Sequence, residues 1–167
     1  MKKIFLLVCA MMCASLTYAQ YGKMEPRNDY REAFAVQGTN IEWSREVECD
    51  SPKALLYANI AKCISISVVV DNVVIGKIES VDLSGNATFS SSRLPWDTST
   101  FNADVIYELQ EGGYKVTVSN IHYKCHTDSA YSSIYSIVYN PRGELRTRGD
   151  GDLQYFDNAF CDKFLLK

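Results

Sequence analysis

Two histidines and a cysteine lie close together in the segment HYKCH, as His122, Cys125 and His126. Histidine and cysteine are common zinc ligands, and a cysteine beside a histidine is also the pattern of a thiol nucleophile with its base. The segment has the composition of a β-strand, in which residues 122 and 126 stand about 13 Å apart at roughly 3.3 Å per residue. Cys125 would point to the other face. The spacing therefore opposes both a metal site and a thiol nucleophile.

A second group of reactive side chains lies in the segment RTRGDGD. It contains Arg148, Gly149 and Asp150, the tripeptide that integrins bind, and an Asp-x-Asp pair formed by Asp150 and Asp152. A calcium loop needs further oxygen ligands at alternating positions, which the following residues do not supply. We therefore interpret the segment as a glycine turn followed by a helix cap.

Other enzyme signatures are missing from the sequence, which has no glycine-rich phosphate loop, no serine nucleophile elbow and no zinc-binding pattern. We predict no catalytic, cofactor-binding or metal-binding residue, and hence a protein that is not an enzyme. One alternative is a small exported metal-dependent hydrolase that uses His122, His126 and Asp150. Another is an adhesin that uses Arg148–Asp150.

Two short motifs concern glycosylation. Asn86 begins an N-glycosylation sequon, which has meaning only in a suitable host. The tripeptide Asp128-Ser129-Ala130 resembles the O-glycosylation signal of Bacteroidetes, in which Ser129 would carry the glycan. Because three-residue motifs often occur by chance, both are candidate modification sites only.

The N-terminus has the parts of a secretory signal peptide. Two lysines precede an apolar run too short to span a membrane, and small residues at Thr17 and Ala19 suit cleavage before Gln20. We predict a signal peptide at residues 1–19 and export to the periplasm, the outer membrane or the medium. Its removal takes away two lysines and no acid, which changes the formal net charge from −3 to −5. An exported acidic chain is a poor ligand for nucleic acid, and no later run predicts a transmembrane helix.

The elements that must position these residues follow from periodicity. Residues 20–38 are polar and irregular, which predicts a flexible lead. The segment IEWSREVEC then alternates, with Ile41, Trp43 and Val47 on one face, and predicts a strand. Arg45 interrupts that apolar face, which indicates a position near a sheet edge.

A helix is predicted next, with Asp50 or Ser51 as N-cap and Pro52 at its first position. Its apolar face carries Leu56, Ile60 and Ile64. Residues rich in β-branched side chains follow and predict strands with a turn or bulge near Asp71 and Asn72. From Gly85 to Thr100 the composition predicts a long loop.

The segment FNADVIYELQEGGYKVTVSNIHYKC predicts a hairpin with its turn at EGG. In its second arm Tyr114, Val116 and Val118 share one parity, whereas Ile121 and Tyr123 occupy the other. Because a shift of one residue turns every side chain to the opposite face, we predict a bulge near Ser119 and Asn120. An alternating stretch from Ala130 then predicts a further strand with a turn at Asn140–Gly143. The chain closes with a predicted helix, capped by Asp152, whose apolar stripe is Leu153, Phe156, Phe160 and Phe164.

Four cysteines remain after removal of the signal peptide, and they allow three disulfide pairings. The helix between Cys49 and Cys63 would hold these two about 20 Å apart at 1.5 Å per residue, which opposes their pairing. Cys63 and Cys161 each lie beside the apolar stripe of a helix, which favours that pair. The alternative is that all four remain buried thiols.

The order strand, helix, several antiparallel strands, helix predicts an α+β domain over residues 39–167. Each of the two helices has one apolar stripe, so both are expected on the same face of the antiparallel sheet.

The hairpin VIYELQEGGYKVTVSNIHY, the helix segment ALLYANIAK and the strand segment GKI resemble an exported Bacteroidetes family, domain of unknown function 4468. The resemblance covers about Ile41 to Lys124. It implies a fold like that of the TATA-binding protein, a curved antiparallel sheet backed by two helices. It implies neither TATA-box binding nor any catalytic residue, because a fold does not determine a function.

The function predicted from these observations is that of an exported, non-catalytic domain that binds a protein or glycan partner in the periplasm or at the cell surface. Tyrosine and tryptophan combine apolar area with a polar group and are suited to such contacts. The candidate partner surface consists of Trp96, Tyr123, Tyr131, Tyr135 and Tyr139.

Overall fold

The computed structural model describes residues 29–83 and 99–166, and its largest element is an antiparallel β-sheet. Its strands are β1 (Phe34–Gln37), β2 (Asn40–Glu48), β3 (Ser65–Val70), β4 (Val73–Val81), β5 (Ser99–Gln110), β6 (Gly113–Cys125) and β7 (Ser132–Ser133). The order across the sheet is β1-β2-β6-β5-β4-β3, and β7 pairs with the last part of β6. The predicted α+β class with an antiparallel sheet is confirmed.

The helices lie on one face of this sheet. They are α1 (Lys53–Cys63), the one-turn α2 (Tyr135–Val138) and α3 (Gly149–Phe164), and a 3-10 turn covers Tyr30–Ala33. Alternate strand residues and the apolar stripes of the helices form one cluster that includes Trp43, Val105, Val116, Leu56, Ile60, Phe156, Phe160 and Phe164. The predicted packing of both long helices on a common face is thereby confirmed. No helix in the described ranges is long and apolar enough to cross a membrane.

A bulge in β6 restores the facing of its apolar residues, as predicted. Ser119 pairs with Asp104 and His122 with Asn102, so β6 has one residue more than β5 between these pairs. Asn120 takes the extra place with a φ of 51°, and Ile121 is buried again beyond it. An equivalent bulge lies in β4 at Ser80, whose φ is 52°. Because bulges on both neighbours flank the same part of β5, the sheet bends there.

Part of the predicted flexible lead is regular structure. Residues Phe34–Gln37 pair with β2, with Phe34 opposite Trp43 and Gln37 opposite Asn40. Such a short outer strand leaves most of its side chains exposed, so its composition resembles that of a loop. The prediction is wrong for residues 30–37. The predicted signal peptide and residues 20–28 lie outside the described residues.

The strand predicted from Ala130 onward is also largely wrong. Only Ser132–Ser133 form a strand, and the helix α2 follows. The buried residues Ile134, Ile137 and Val138 have the i, i+3, i+4 spacing of a helix, which the intervening tyrosines and serines concealed. The predicted turn is present, with the Gly143 N–H bonded to the Asn140 carbonyl at 2.9 Å.

Both long helices begin at residues other than those predicted. Helix α1 has Pro52 at its N-cap position, and neither Asp50 nor Ser51 caps it. Helix α3 begins at Gly149, so Asp152 lies inside its first turn and is fully buried. Acidic residues in a first turn stabilise a helix through its dipole without acting as the cap.

Candidate functional site

The three side chains of the hydrolase hypothesis lie in different surroundings. His122 belongs to β6, and its Nδ1 atom lies 2.8 Å from the carbonyl oxygen of Asn120. His126 is exposed in the turn after β6, and Asp150 belongs to the first turn of α3. Within residues 29–83 and 99–166, which include all three, no group of three or more His, Cys, Asp or Glu side chains could hold a metal ion. The structure therefore does not assemble the proposed site.

The arginine–glycine–aspartate tripeptide forms the start of a helix and does not project as a loop. Gly149 is buried, and a Cβ atom on it would collide with the carbonyl oxygen of Val138. Asp150 accepts a hydrogen bond from the Tyr30 hydroxyl at 2.7 Å and pairs with the Arg31 guanidinium at 2.6 Å. These contacts hold the aspartate against the 3-10 turn, so its carboxylate is already paired within the chain.

The four cysteines of the described chain are free thiols. The predicted Cys63–Cys161 disulfide is not formed. The Cys161 sulfur is buried and lies 3.9 Å from Oδ1 of Asp157, one turn earlier in the same helix. Cys63 is half-buried at the end of α1, and burial raises the pKa of its thiol, an effect that the nearby Lys163 and Lys62 oppose. Both cysteines lie near the core because each is next to the apolar stripe of its helix. That position does not determine the direction in which each sulfur atom points.

The predicted partner surface is divided between the two faces of the sheet. Tyr123, Tyr135 and Tyr139 pack against the core, and the rings of Tyr135 and Tyr139 stack with centroids 5.0 Å apart. The Tyr131 hydroxyl instead lies 3.0 Å from Ser80 Oγ and 3.2 Å from Thr100 Oγ1. These hydrogen bonds lower the pKa of the Tyr131 hydroxyl.

Other predicted sites lie wholly or partly outside the described residues, or are placed without being tested. Trp96, Asn86 and the loop from Gly85 as far as residue 98 lie outside the described residues, while Ser99 and Thr100 begin β5. Ser129 is exposed in the segment after β6, and its glycosylation stays a prediction.

The face of the sheet opposite the helices, here called the open face, has a distinct distribution of side chains. Residues paired across antiparallel strands point to the same side, so two rows cross this face. One row is Ser44, Thr117, Ile106, Ile75 and Val68. The next row is Glu46, Lys115, Glu108, Val73 and Val70. Both rows change from polar at β2 to apolar at β3, and none of these ten residues is buried.

The apolar end of the two rows forms a continuous surface, here called the apolar patch, made of Val68, Val70, Val73, Ile75 and Ile106. Most of the exposed large apolar residues of the described chain lie on α1, β3 or β4, namely Leu55, Ile66, Val68, Val69, Val70 and Ile75. The two others in the described ranges are Val36 and Leu145. Contiguous exposed apolar surface commonly marks an interaction site.

Sequence reasoning missed this patch. The second half of strand β3, Val68–Val70, is apolar at both parities, a pattern typical of a strand buried on two sides. In the structure β3 is the last strand of the sheet, and all six of its residues are exposed. Because the position of β3 in the sheet is not recorded in its sequence, its composition alone could not have identified the patch.

Acidic residues predominate on the rest of the open face. Glu42, Glu46, Glu48, Glu79, Asp104 and Glu108 point outward, against Lys77, Lys115 and Lys124. The cross-strand pairs Glu46 with Lys115 and Lys115 with Glu108 alternate in sign, which stabilises the strands locally. The remaining acids give this face a negative potential that favours a partner of opposite charge.

Comparison with known proteins adds one similarity. No family model matches the sequence, and no curated protein matches it. The chain is similar to the crystal structure of a DUF4468 family protein from Bacteroides ovatus, with 15% sequence identity and a TM-score of 0.43. The similarity covers 81% of this chain and 88% of that chain. That protein bears the name of the family that the hairpin of this sequence resembles.

Proposed function

We propose that this protein is an exported, non-catalytic module that binds another protein of the cell envelope on its apolar patch. The observation that carries the proposal is the position of Val68, Val70 and Ile75, which are between 40% and 57% exposed on one side of the sheet. Domains of this kind rarely leave aliphatic residues together in water unless another surface covers them.

The chemistry of the partner follows from the surroundings of the patch. Aliphatic residues lie at its centre. Glu108 and Asp104 border it on β5, and Lys77 borders it on β4, where it is paired with Glu79. A complementary protein would present aliphatic side chains surrounded by Lys or Arg, because charge complementarity directs such contacts. A glycan would instead stack on an exposed aromatic ring. The ring of Tyr131 lies under the Lys124 ammonium, 5.9 Å from the centroid, which favours the protein over the glycan.

A photo-crosslinking side chain at residue 75 tests this proposal, with the same group at residue 44 as the matched control. Ser44 and Ile75 belong to one row on the open face, with Ser44 at its β2 end and Ile75 three strands away on β4. Irradiation in the envelope fraction is expected to join one defined protein to residue 75 and none to residue 44. The purified partner should then bind at least tenfold more weakly to Ile75→Glu than to Ser44→Glu, and more weakly in high salt. Equal crosslinking at both positions, or a glycan array with a strong ligand and no protein partner, would contradict the proposal.

Export is tested separately by the mass of the protein recovered from the envelope or the medium. Cleavage before Gln20 predicts a chain that begins at that residue. A protein that keeps Met1 and stays inside the cell would remove the envelope partner from consideration.

A further inference from the structure

We propose that the edge strand β3 pairs antiparallel with β3 of a second copy of this chain, which joins the two sheets into one. The proposal goes beyond the binding of a partner on the open face, because it concerns the edge of the sheet and the assembly state of the protein. It begins from the position of β3, which pairs with β4 on one side and with no strand of the described residues on the other.

This edge has few of the features that prevent strand pairing. Natural edge strands are protected by charged residues, proline, bulges or a covering element. Residues Ser65–Val70 include no charge and no proline, and Val69 and Val70 are at least half exposed. A bulge between Ile66 and Val68 is the protective feature present, and it leaves Val68–Val70 as the regular segment available for pairing.

Self-pairing matches the apolar residues of this segment. In an antiparallel arrangement centred on Val69, Val68 of each copy lies opposite Val70 of the other, and both point to the open face. Val69 pairs with Val74 and points to the helix-covered face, where Leu55 on the neighbouring α1 is 49% exposed. Two copies would therefore bury apolar side chains on both faces of the joined sheet.

The charge distribution is also compatible with a second copy. The acids of β2, Glu42, Glu46 and Glu48, lie four strands from β3, about 19 Å at roughly 4.8 Å per strand. Because the screening length is about 8 Å at physiological salt, these acids of the two copies do not repel each other appreciably. At the junction itself, the pairing centred on Val69 places Asp71, in the turn after β3, opposite the uncharged Ser67 of the other copy.

Sedimentation equilibrium of the purified protein tests the proposal. We expect a reversible dimer whose dissociation constant rises at least tenfold in Val69→Lys. Val36→Lys is the matched control, since Val36 is 42% exposed on β1 at the opposite edge, and it should leave the dimer intact. Val69→Thr keeps a β-branched side chain and should have an intermediate effect if Val69→Lys fails to fold.

A wild-type protein that sediments as a monomer up to high micromolar concentration would overturn the proposal without any variant. So would a dimer that Val36→Lys disrupts as strongly as Val69→Lys. Failure of this test is distinguishable from failure of the proposed function, because Ile75, which tests the patch, lies on the open face of β4 and not on the outer side of β3.

Discussion

The indole Nε1–H of Trp43 donates a hydrogen bond of 2.8 Å to Oδ1 of Asp157 in the interior of the molecule. The guanidinium of Arg45, two residues along the same strand, donates to both oxygens of that carboxylate at 2.9 and 3.0 Å. Asp29 binds the other end of the guanidinium at 2.6 Å. Strand β2 and helix α3 are thus joined through one buried carboxylate. The predicted position of β2 near a sheet edge is confirmed, since only the short strand β1 lies outside it. At this position Arg45 is the partner of a charge on the helix.

Asp157→Asn is expected to destabilise the protein by about 3 kcal/mol, because it leaves a largely buried guanidinium without its principal counter-charge. The new amide oxygen can still accept from Trp43, so the loss reports mainly on the ion pair. Urea unfolding measures the change. Asp150→Asn is the matched control, since it breaks the exposed pair with Arg31 and should cost much less than Asp157→Asn. Similar losses in the two variants would show that the buried ion pair at Asp157 stabilises the protein no more than the exposed pair at Asp150.

Replacement of Asn120 tests the bulge in β6. Its φ of 51° suits asparagine or glycine and is strained for a β-branched residue. Asn120→Val is expected to cost about 2 kcal/mol, whereas Asn120→Gly should stay within about 1 kcal/mol despite losing the 2.6 Å hydrogen bond to Asp104. Thr117→Val, in the regular part of the same strand, should be close to neutral. Equal stability of the valine and glycine variants would argue against a left-handed residue at this position.

Buried tyrosines predict a loss of stability at high pH. Burial raises the pKa of Tyr155 to about 12, with a further contribution from Asp82, and burial also raises the pKa of Tyr107. The folded state therefore keeps both phenols protonated where the unfolded chain, with a pKa near 10, releases its protons. The resulting stability is fully present below about pH 10 and declines as the pH rises from 10 toward 12.

Urea unfolding between pH 8 and pH 11 measures this decline. Tyr107→Phe should start lower at pH 8, by about 1 kcal/mol, because the Tyr107 hydroxyl donates to the Phe164 carbonyl at 2.8 Å. Its stability should then fall less steeply with pH than that of the wild type. In Tyr131→Phe the slope should not flatten, since hydrogen bonds lower the pKa of the Tyr131 hydroxyl. Parallel curves for the wild type and Tyr107→Phe would contradict the assignment.

Elemental analysis decides between the binding module and the hydrolase. We expect no stoichiometric metal in the purified protein, and a thermal midpoint that a chelator leaves unchanged, because His122, His126 and Asp150 lie in separate surroundings. The double variant His122→Ala/His126→Ala should behave like the wild type in both measurements. A metal bound at one equivalent and lost in that variant would favour the hydrolase over the binding module.

Much of the architecture was predictable because local periodicity is a property of short segments. The alternation of Phe101, Ala103 and Val105 predicted the first arm of the hairpin, and the change of parity between Val118 and Ile121 predicted the bulge. The spacing of Phe156, Phe160 and Phe164 predicted the last helix. Errors arose where an element is too short to show a period, as in β1 and α2.

The candidate site was harder to predict, because exposure depends on which strands become neighbours. Aromatic residues were expected to mark a surface, yet Tyr123, Tyr135 and Tyr139 pack against the core, while the aliphatic Val68 and Val70 are exposed.

The sequence alone determined the class of fold, the two amphipathic helices and the facing of the central hairpin, since these follow from the periods of 2 and 3.6 residues within each segment. Only the tertiary structure decided that β3 lies at the edge and that Arg45 meets Asp157. Strand order and contacts between distant residues depend on pairings across long chain separations, and no local pattern records them.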